Sequence, residues 1–251
     1  MKTSIRITLI LISVFVTFVS CSKSVEDLQS DGSQKGFATG KVVNSQGIAI
    51  AGAKILLDNT VGYAAYINGS TKEDGTYKIE VQPGSWRTSA YVEQTYNGEK
   101  YTMELFPDKT DSFTEQGAVR NFIWKLEGEL PWEWEATCGG SVTLSTDYGF
   151  YEDEEDIELT FTPKGPLIDG SKGRTLVLRY GEEKWRNRAA LEDIPIGRYT
   201  VRAALKKGAR LTPLKIDNWY KQDGLETDYE LNFIPKPNGG VSNSASIVIG
   251  Y

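Results

Sequence analysis

The chain has no histidine among its 251 residues. That removes the commonest general base and the commonest nitrogen ligand of metals, so Ser-His-Asp, Cys-His and zinc–histidine sites are excluded. Cysteine is scarce as well, with Cys21 and Cys138 the two in the sequence. No glycine-rich phosphate loop stands ahead of a helical pattern. A serine and a lysine at β-lactamase spacing occur only at Ser20 and Lys23, around Cys21. No apolar stretch reaches the roughly 20 residues that a spanning helix needs. Carboxylate pairs are the remaining route to hydrolysis, and the expectation is a chain that is not an enzyme and uses no cofactor or metal.

The N-terminus has the order of a secretory signal peptide. Lys2 and Arg6 precede a mostly apolar stretch over 7–19, and Ser20 and Cys21 follow. Phe18-Val19-Ser20-Cys21 resembles the lipobox of bacterial lipoproteins, although Phe18 stands where leucine is usual. The competing reading is an ordinary signal peptide with a chance cysteine. The resemblance implies that residues 1–20 are removed and that Cys21 is acylated. The membrane is then the first partner, and the location is the cell envelope, at the outer membrane. Each buried acyl methylene contributes about 0.8 kcal/mol, so several chains on one cysteine hold a folded domain at a bilayer.

Between 22 and 35 the composition is polar, with Val25 and Leu28 the only large apolar residues, too little surface to offset the entropy of ordering. A flexible tether over 21–36 is expected. Lys23, Glu26 and Asp27 loosely resemble the surface-export signal of some Bacteroidetes lipoproteins. With Cys21 acylated, Cys138 has no intrachain partner; it is either buried and inert or a route to intermolecular pairing. Loss of Lys2 and Arg6 makes the mature chain more acidic than its formal charge of −6. Nucleic acid is therefore not an expected partner. Lys206, Lys207 and Arg210 form a short basic cluster, read as a solvated loop.

From Gly36 onward apolar residues alternate with polar ones at period two, the signature of half-buried strands. Tyr77, Ile79 and Val81 fall on one face, with Lys78 and Glu80 on the other. Trp86, Thr88, Ala90 and Val92 repeat the pattern, and Ala53, Ile55 and Leu57 point inward after a tight turn at Gly52. Ser45-Gln46-Gly47, Glu73-Asp74-Gly75 and Gln82-Pro83-Gly84 supply turn chemistry. Asp74-Gly75 reads as a hairpin signal.

Four segments in order, Gly40 to Gly47, Ile50 to Ile55, Thr71 to Tyr77 and Val81 to Gly84, resemble the carboxypeptidase regulatory-like domain over about residues 37–127. Ala49 stands where that family commonly has proline. The resemblance implies a seven-stranded transthyretin-like β-sandwich serving as a scaffold rather than an active site. Residues 128–140 then read as a charged linker, and 141–251 as a second β-sandwich. Its inward positions are Val142 and Leu144; Ile157, Leu159 and Phe161; Leu176, Leu178 and Tyr180; Tyr199, Val201, Ala203 and Leu205. Ile194-Pro195-Ile196-Gly197 echoes the turn at Pro83-Gly84, from which a related topology is expected. The run Ile247-Val248-Ile249 is expected to be a paired strand.

Two groups are candidate sites. The acidic run at 152–156 is either a solvated lead into the strand at Ile157 or a calcium site. The aromatics Trp132, Trp134, Tyr63, Tyr66, Tyr91, Tyr96 and Tyr101 are expected in loops or at outward positions, where faces stack on sugars or peptides. For Trp132 and Trp134 the other reading is packing between the domains. The function expected is a lipid-anchored, non-catalytic binding, adhesion or assembly module, with a protein or glycan partner. The alternative is a carbohydrate-binding lipoprotein of a polysaccharide-uptake system.

Overall fold

Alternation at period two becomes strands with one wet and one dry face. The computed structural model describes residues 33–131, 137–182, 190–235 and 243–251, and these form seventeen strands and a single 3-10 turn. Cys21, Trp132 and Trp134 lie outside the described residues. Among the described residues no helix is long and apolar enough to cross a membrane.

The first half holds β1 (Phe37–Asn44), β2 (Lys54–Asn59), β3 (Tyr66–Ser70), β4 (Thr76–Glu80), β5 (Trp86–Tyr96), β6 (Glu99–Glu104), β7 (Phe106–Pro107), β8 (Ala118–Val119) and β9 (Phe122–Trp124). Seven of these have three or more residues. One sheet runs β4-β1-β9-β7, with β8 also against β1, and the other runs β3-β2-β5-β6. Ala53, Ile55, Leu57, Tyr77, Ile79, Val81, Trp86, Ala90 and Val92 are buried, while Lys78, Glu80 and Arg87 are exposed. The alternation therefore assigned these faces correctly. Thr88 is half-buried.

Gly75 and Gly84 have φ of +77° and +148°. In the first turn the Gly75 amide donates to the Lys72 carbonyl at 2.9 Å, and Asp74 Oδ1 accepts from the Thr76 amide at 2.9 Å. A Cβ on Gly75 would also sit 2.6 Å from the Val42 carbonyl oxygen. Gly75→Ala should therefore lower unfolding free energy by about 1 kcal/mol or more; a denaturant midpoint equal to wild type would contradict this. The hairpin expectation at Asp74-Gly75 needs correction. β3 pairs with β2 and β4 with β1, so this turn carries the chain from one sheet to the other. Turn chemistry fixes the local reversal, but not which neighbours the flanking strands choose.

The second half holds β10 (Gly140–Thr146), β11 (Ile157–Pro163), β12 (Leu176–Arg179), β13 (Ala190–Ile194), β14 (Arg198–Lys207), β15 (Arg210–Asn218), β16 (Tyr229–Asn232) and β17 (Ser244–Gly250). The strand order is β12-β11-β14-β15-β17-β10-β13, with β16 also against β14. Strand β15 joins the two parts of this continuous eight-stranded sheet: Arg210 to Leu214 pair with β14, and Lys215 to Asn218 pair with β17. Val142, Leu144, Ile157, Leu159, Phe161, Leu176, Tyr199, Val201, Ala203 and Leu205 are buried, and Leu178 and Tyr180 are partly so. Ile247 to Ile249 lie in β17, paired on both sides.

Each half closes by pairing its first and last strands in parallel, β1 with β9 and β10 with β17. Beyond that the strand orders differ. Gly197 is not among the positive-φ residues, so the turn at Pro195-Ile196-Gly197 does not repeat that at Pro83-Gly84. What Gly197 provides is space, since a Cβ there would meet Leu167 Cδ2 at 2.7 Å.

The charged clusters also read differently once folded. Lys206, Lys207 and Arg210 flank the β14–β15 hairpin, with Lys207 paired across from Arg210. Lys206 bonds Glu158, and Lys207 bonds Asp156 and lies 3.6 Å from Glu152. Arg179 bonds Asp156 at 2.5 Å. The basic cluster is thus strand-borne rather than a solvated loop, with Lys207 paired to the acidic run and Lys206 to Glu158 on β11. The basic ends of these pairs are part-exposed while the carboxylates of Asp156 and Glu158 are more covered. Asp153 caps the 3-10 turn Glu154–Asp156 through the Glu155 amide, and the run does lead into β11. Asp156 is held below the usual carboxylate range, chiefly by the hydrogen bond from Lys207. Among the described residues no cluster of three or more carboxylates or thiols is placed to hold a metal ion.

Candidate functional site

Residues 33–251 form one compact unit, and a single cluster of buried side chains runs through both halves. The seam between them is hydrogen-bonded. Tyr101, on β6, is 2% exposed and donates to the Phe233 carbonyl at 2.6 Å. The Tyr96 hydroxyl, at the end of β5, donates to the Pro166 carbonyl at 2.8 Å and accepts from the Arg198 amide at 3.2 Å. Asn97 Nδ2 donates to Asn232 Oδ1 at 2.9 Å. Arg174 reaches Glu127 at 2.8 Å, and the Gly128 amide donates to Asp193 at 2.8 Å.

Ring contacts pack each side of the joint within its own half. Tyr96 and Tyr101 meet edge to face at 6.4 Å, and Tyr199 meets Phe161 and Phe233 at 5.9 and 6.5 Å. Burial pushes the Tyr101 phenol up to about 12 and that of Tyr199 higher still, so both remain hydrogen-bond donors at any physiological pH.

The expected aromatic platform is therefore not assembled. Tyr63 and Tyr66 are exposed beside edge strand β3, Tyr91 is half-buried on β5, and Tyr101 is sealed in the seam. Tyr101 was expected to face outward; the approach of β16 and the residue after it covers it and supplies its acceptor. Tyr96 keeps part of its ring exposed while its hydroxyl is bound on both sides.

Beside Tyr96 the seam opens into a cavity of about 590 Å³. Gln94, Tyr96, Asn97 and Trp124 come from the first half, and the loop 165–170 and Arg198 from the second. The hairpin turn carrying Asn97 and Gly98 has φ of +50° and +82°, the left-handed pair of a type I′ turn. Trp124 is 7% exposed, and its Nε1 has no partner. Asp169 uses Oδ1 to accept from the Ser171 amide and hydroxyl, while its buried Oδ2 has no partner. Leu167 and Asp169 also border a second cavity of about 420 Å³, lined by Lys125, Glu127, Arg174 and Tyr199.

None of Trp124, Asp169, Arg198, Gln94 and Asn97 was singled out from the sequence. Asn97-Gly98 and the punctuation Gly165-Pro166 with Asp169-Gly170 mark two loops, but nothing local says that the loops meet.

Cys138 is buried and hydrogen-bonds through its amide to the Gly128 carbonyl at 2.8 Å. Its burial, at 6% exposed, supports the reading of a core thiol, and burial also pushes the thiol from 9.0 up to about 11. It should react with a thiol reagent only after unfolding; rapid labelling of the native chain would contradict this. Cys138 and Tyr101 both have folded values above their unfolded ones. Stability should be full below about pH 9 and fall as pH rises through about 11 to 12.

No family model and no curated protein matches the chain. Among solved structures it is similar to the Bacillus anthracis TIE protein, at 15% identity and TM-score 0.27, over 85% of this chain and 33% of that one. It is also similar to a single B repeat of the collagen-binding surface protein of Staphylococcus aureus, at 8% identity and TM-score 0.23, over 87% and 99%. A streptococcal ancillary pilin aligns at 10% identity and TM-score 0.25, over 86% and 63%. The chain thus spans a third of the TIE protein's length. TM-scores this low carry no functional argument.

Proposed function

We propose that this chain is a lipid-anchored binding module of the cell envelope, performing no chemistry of its own and presenting two β-sandwiches as one rigid body. The observation that carries the reading is the seam, where buried tyrosines and a shared core lock the halves together and leave a preformed cavity. Binding sites favour such clefts between packed units, because a fixed wall costs little to order when a ligand arrives. Hydrolysis by paired carboxylates would need a second acid about 5 to 9 Å from the first. Asp169 is the single carboxylate among the described residues lining the larger seam cavity. The junction acids Glu133 and Glu135 lie outside the described residues.

The anchor is Cys21, the one cysteine at the end of the apolar leader. Cys21→Ala should abolish partition into the membrane fraction and remove the acyl-modified N-terminal peptide from the mass spectrum. Unchanged partition together with an unmodified wild-type peptide would sink the anchoring claim. The binding claim is tested by capture: the wild-type chain displayed on vesicles should retain an envelope polymer or protein that an unrelated lipoprotein does not.

A further inference from the structure

We propose that edge strand β3 (Tyr66–Ser70) is the surface through which two copies of this chain pair, antiparallel and about a two-fold axis at Asn68. The inference is independent of the seam cavity and of what it binds. Where β3 meets β2, Ile67 faces Leu57 and Gly69 faces Ile55. The Asn59 amide donates to the Ala65 carbonyl and the Thr71 amide to the Ala53 carbonyl, each at 3.0 Å. Backbone groups of a strand alternate between its two edges. Ala65, Ile67 and Gly69 are thus turned to β2, and Tyr66, Asn68 and Ser70 turn their N–H and C=O groups outward. Among the described residues no strand lies on that side. The side chains of Tyr66, Asn68 and Ser70 are also exposed.

Such an edge is a template for another strand, and proteins guard it with charge or proline. Strands β3, β4, β6, β7, β12 and β13 end the three sheet orders. Lys78 and Glu80 guard β4, Glu99, Lys100 and Glu104 guard β6, and Pro107 guards β7. Arg179 lies on β12, and Glu192 and Asp193 lie on β13. β3 has no such guard. The uncharged stretch runs from Asn59 to Thr71, in a chain that is 25% charged. Within it Val61, Tyr63 and Tyr66 are exposed. Their loop is already fixed: Asn59 Oδ1 accepts from the Val61 and Gly62 amides at 3.0 and 2.7 Å, and Ala64 holds a φ of +52°. A preformed apolar surface costs little to order when a partner arrives.

Charge selects a second copy as that partner. The formal charge of −6 makes copies repel wherever their acids approach, and β3 with its loop is where they meet without that penalty. A basic partner would find no carboxylate on this strand to answer its charge. The register is also self-complementary. With Asn68 facing Asn68 of the second copy, Tyr66 faces Ser70 and Ser70 faces Tyr66, so each outward N–H meets an outward C=O. A two-fold contact of this kind closes at two copies.

The test is sedimentation of the full-length chain with detergent micelles in excess, at about 0.1 mM, between the micromolar and millimolar range of weak contacts. A dimer is expected. Asn68→Lys sets two ammonium groups against each other on the axis and should return the chain to a monomer. Its circular dichroism and thermal midpoint should stay unchanged, because the side chain is exposed. Register is read by oxidising single-cysteine variants, with the wild type as the blank; Cys138 is buried. In Asn68→Cys the facing Cα atoms come within about 5.5 Å, the reach of a disulfide, and a cross-linked dimer should form. In Tyr66→Cys the two thiols stand four residues out of register, about 14 Å apart, and should not join. Tyr66→Cys mixed with Ser70→Cys should cross-link.

A wild-type monomer at that concentration would overturn the proposal. So would a dimer that Asn68→Lys leaves intact, or cross-linking as efficient in Tyr66→Cys as in Asn68→Cys.

Discussion

Gly40→Ala is expected to destabilise the chain by about 3 kcal/mol or more, the upper range for forcing atoms into a filled site. Gly40 lies in mid-strand on β1, where a Cβ would sit 1.8 Å from the Arg120 carbonyl oxygen and 2.9 Å from the Tyr77 ring. Neither neighbour can retreat. The Arg120 carbonyl accepts from the Tyr77 hydroxyl at 2.6 Å, and the Arg120 amide donates to the Thr39 carbonyl at 2.8 Å. The Arg120 guanidinium is itself buried and tied to Asp111 at 2.9 Å. The methyl group must therefore part β1 from the segment joining β8 to β9. At this chain length the thermal midpoint should fall by about 6 to 12 °C. A shift of under 2 °C or so would show that the strand relaxes around the added carbon at small cost.

Tyr101→Ala is the second large effect. Removing a sealed aromatic side chain costs about 3 to 5 kcal/mol, and here the Phe233 carbonyl also loses its donor. Tyr101→Phe separates the two contributions: it keeps the ring and should cost about 1 to 3 kcal/mol, the usual penalty for a buried acceptor left unpaired. Because the residue joins both halves, the wild type should unfold in one transition, coincident by circular dichroism and by tryptophan fluorescence. Two separated transitions in the wild type, or a silent Tyr101→Phe, would mean that the seam does not unite the sandwiches.

These two residues show how differently legible the fold and the site are. Gly40 belongs to the segment that carries the family resemblance, and a glycine inside a strand is itself a signal of close backbone approach. The sequence does not say which backbone approaches, because Arg120 lies eighty residues away. Tyr101 follows the period-two pattern and could be placed on a strand. Whether its face meets water or a second sandwich depends on the position of Phe233, over a hundred residues on. The aromatic candidates failed as a group for the same reason. An exposed tyrosine and a buried one with a hydrogen-bonded hydroxyl have the same local sequence.

The seam cavity was the least legible feature. Its residues come from β5, β9, the loop 165–170 and the start of β14, and no two of those segments share a motif. The charged clusters lie between these cases. Lys206 to Arg210 and the acidic run were each visible as runs of charge, but their pairing required β11 and β14 to be neighbours.

By itself the sequence determined the all-β class, the inward faces of most strands, the positive-φ glycines at 75 and 84, and the exclusion of histidine chemistry. Each is a local property, set by side-chain alternation, by backbone sterics or by which functional groups exist at all. The tertiary structure alone decided that the turn at Asp74-Gly75 crosses between sheets and that β15 joins β14 to β17 in one eight-stranded sheet. It alone decided that tyrosines weld the halves into one body and that Trp124 and Asp169 share a cavity. These outcomes depend on contacts between residues far apart in the chain. Such contacts are selected by how whole faces pack, and no window of neighbouring residues encodes them.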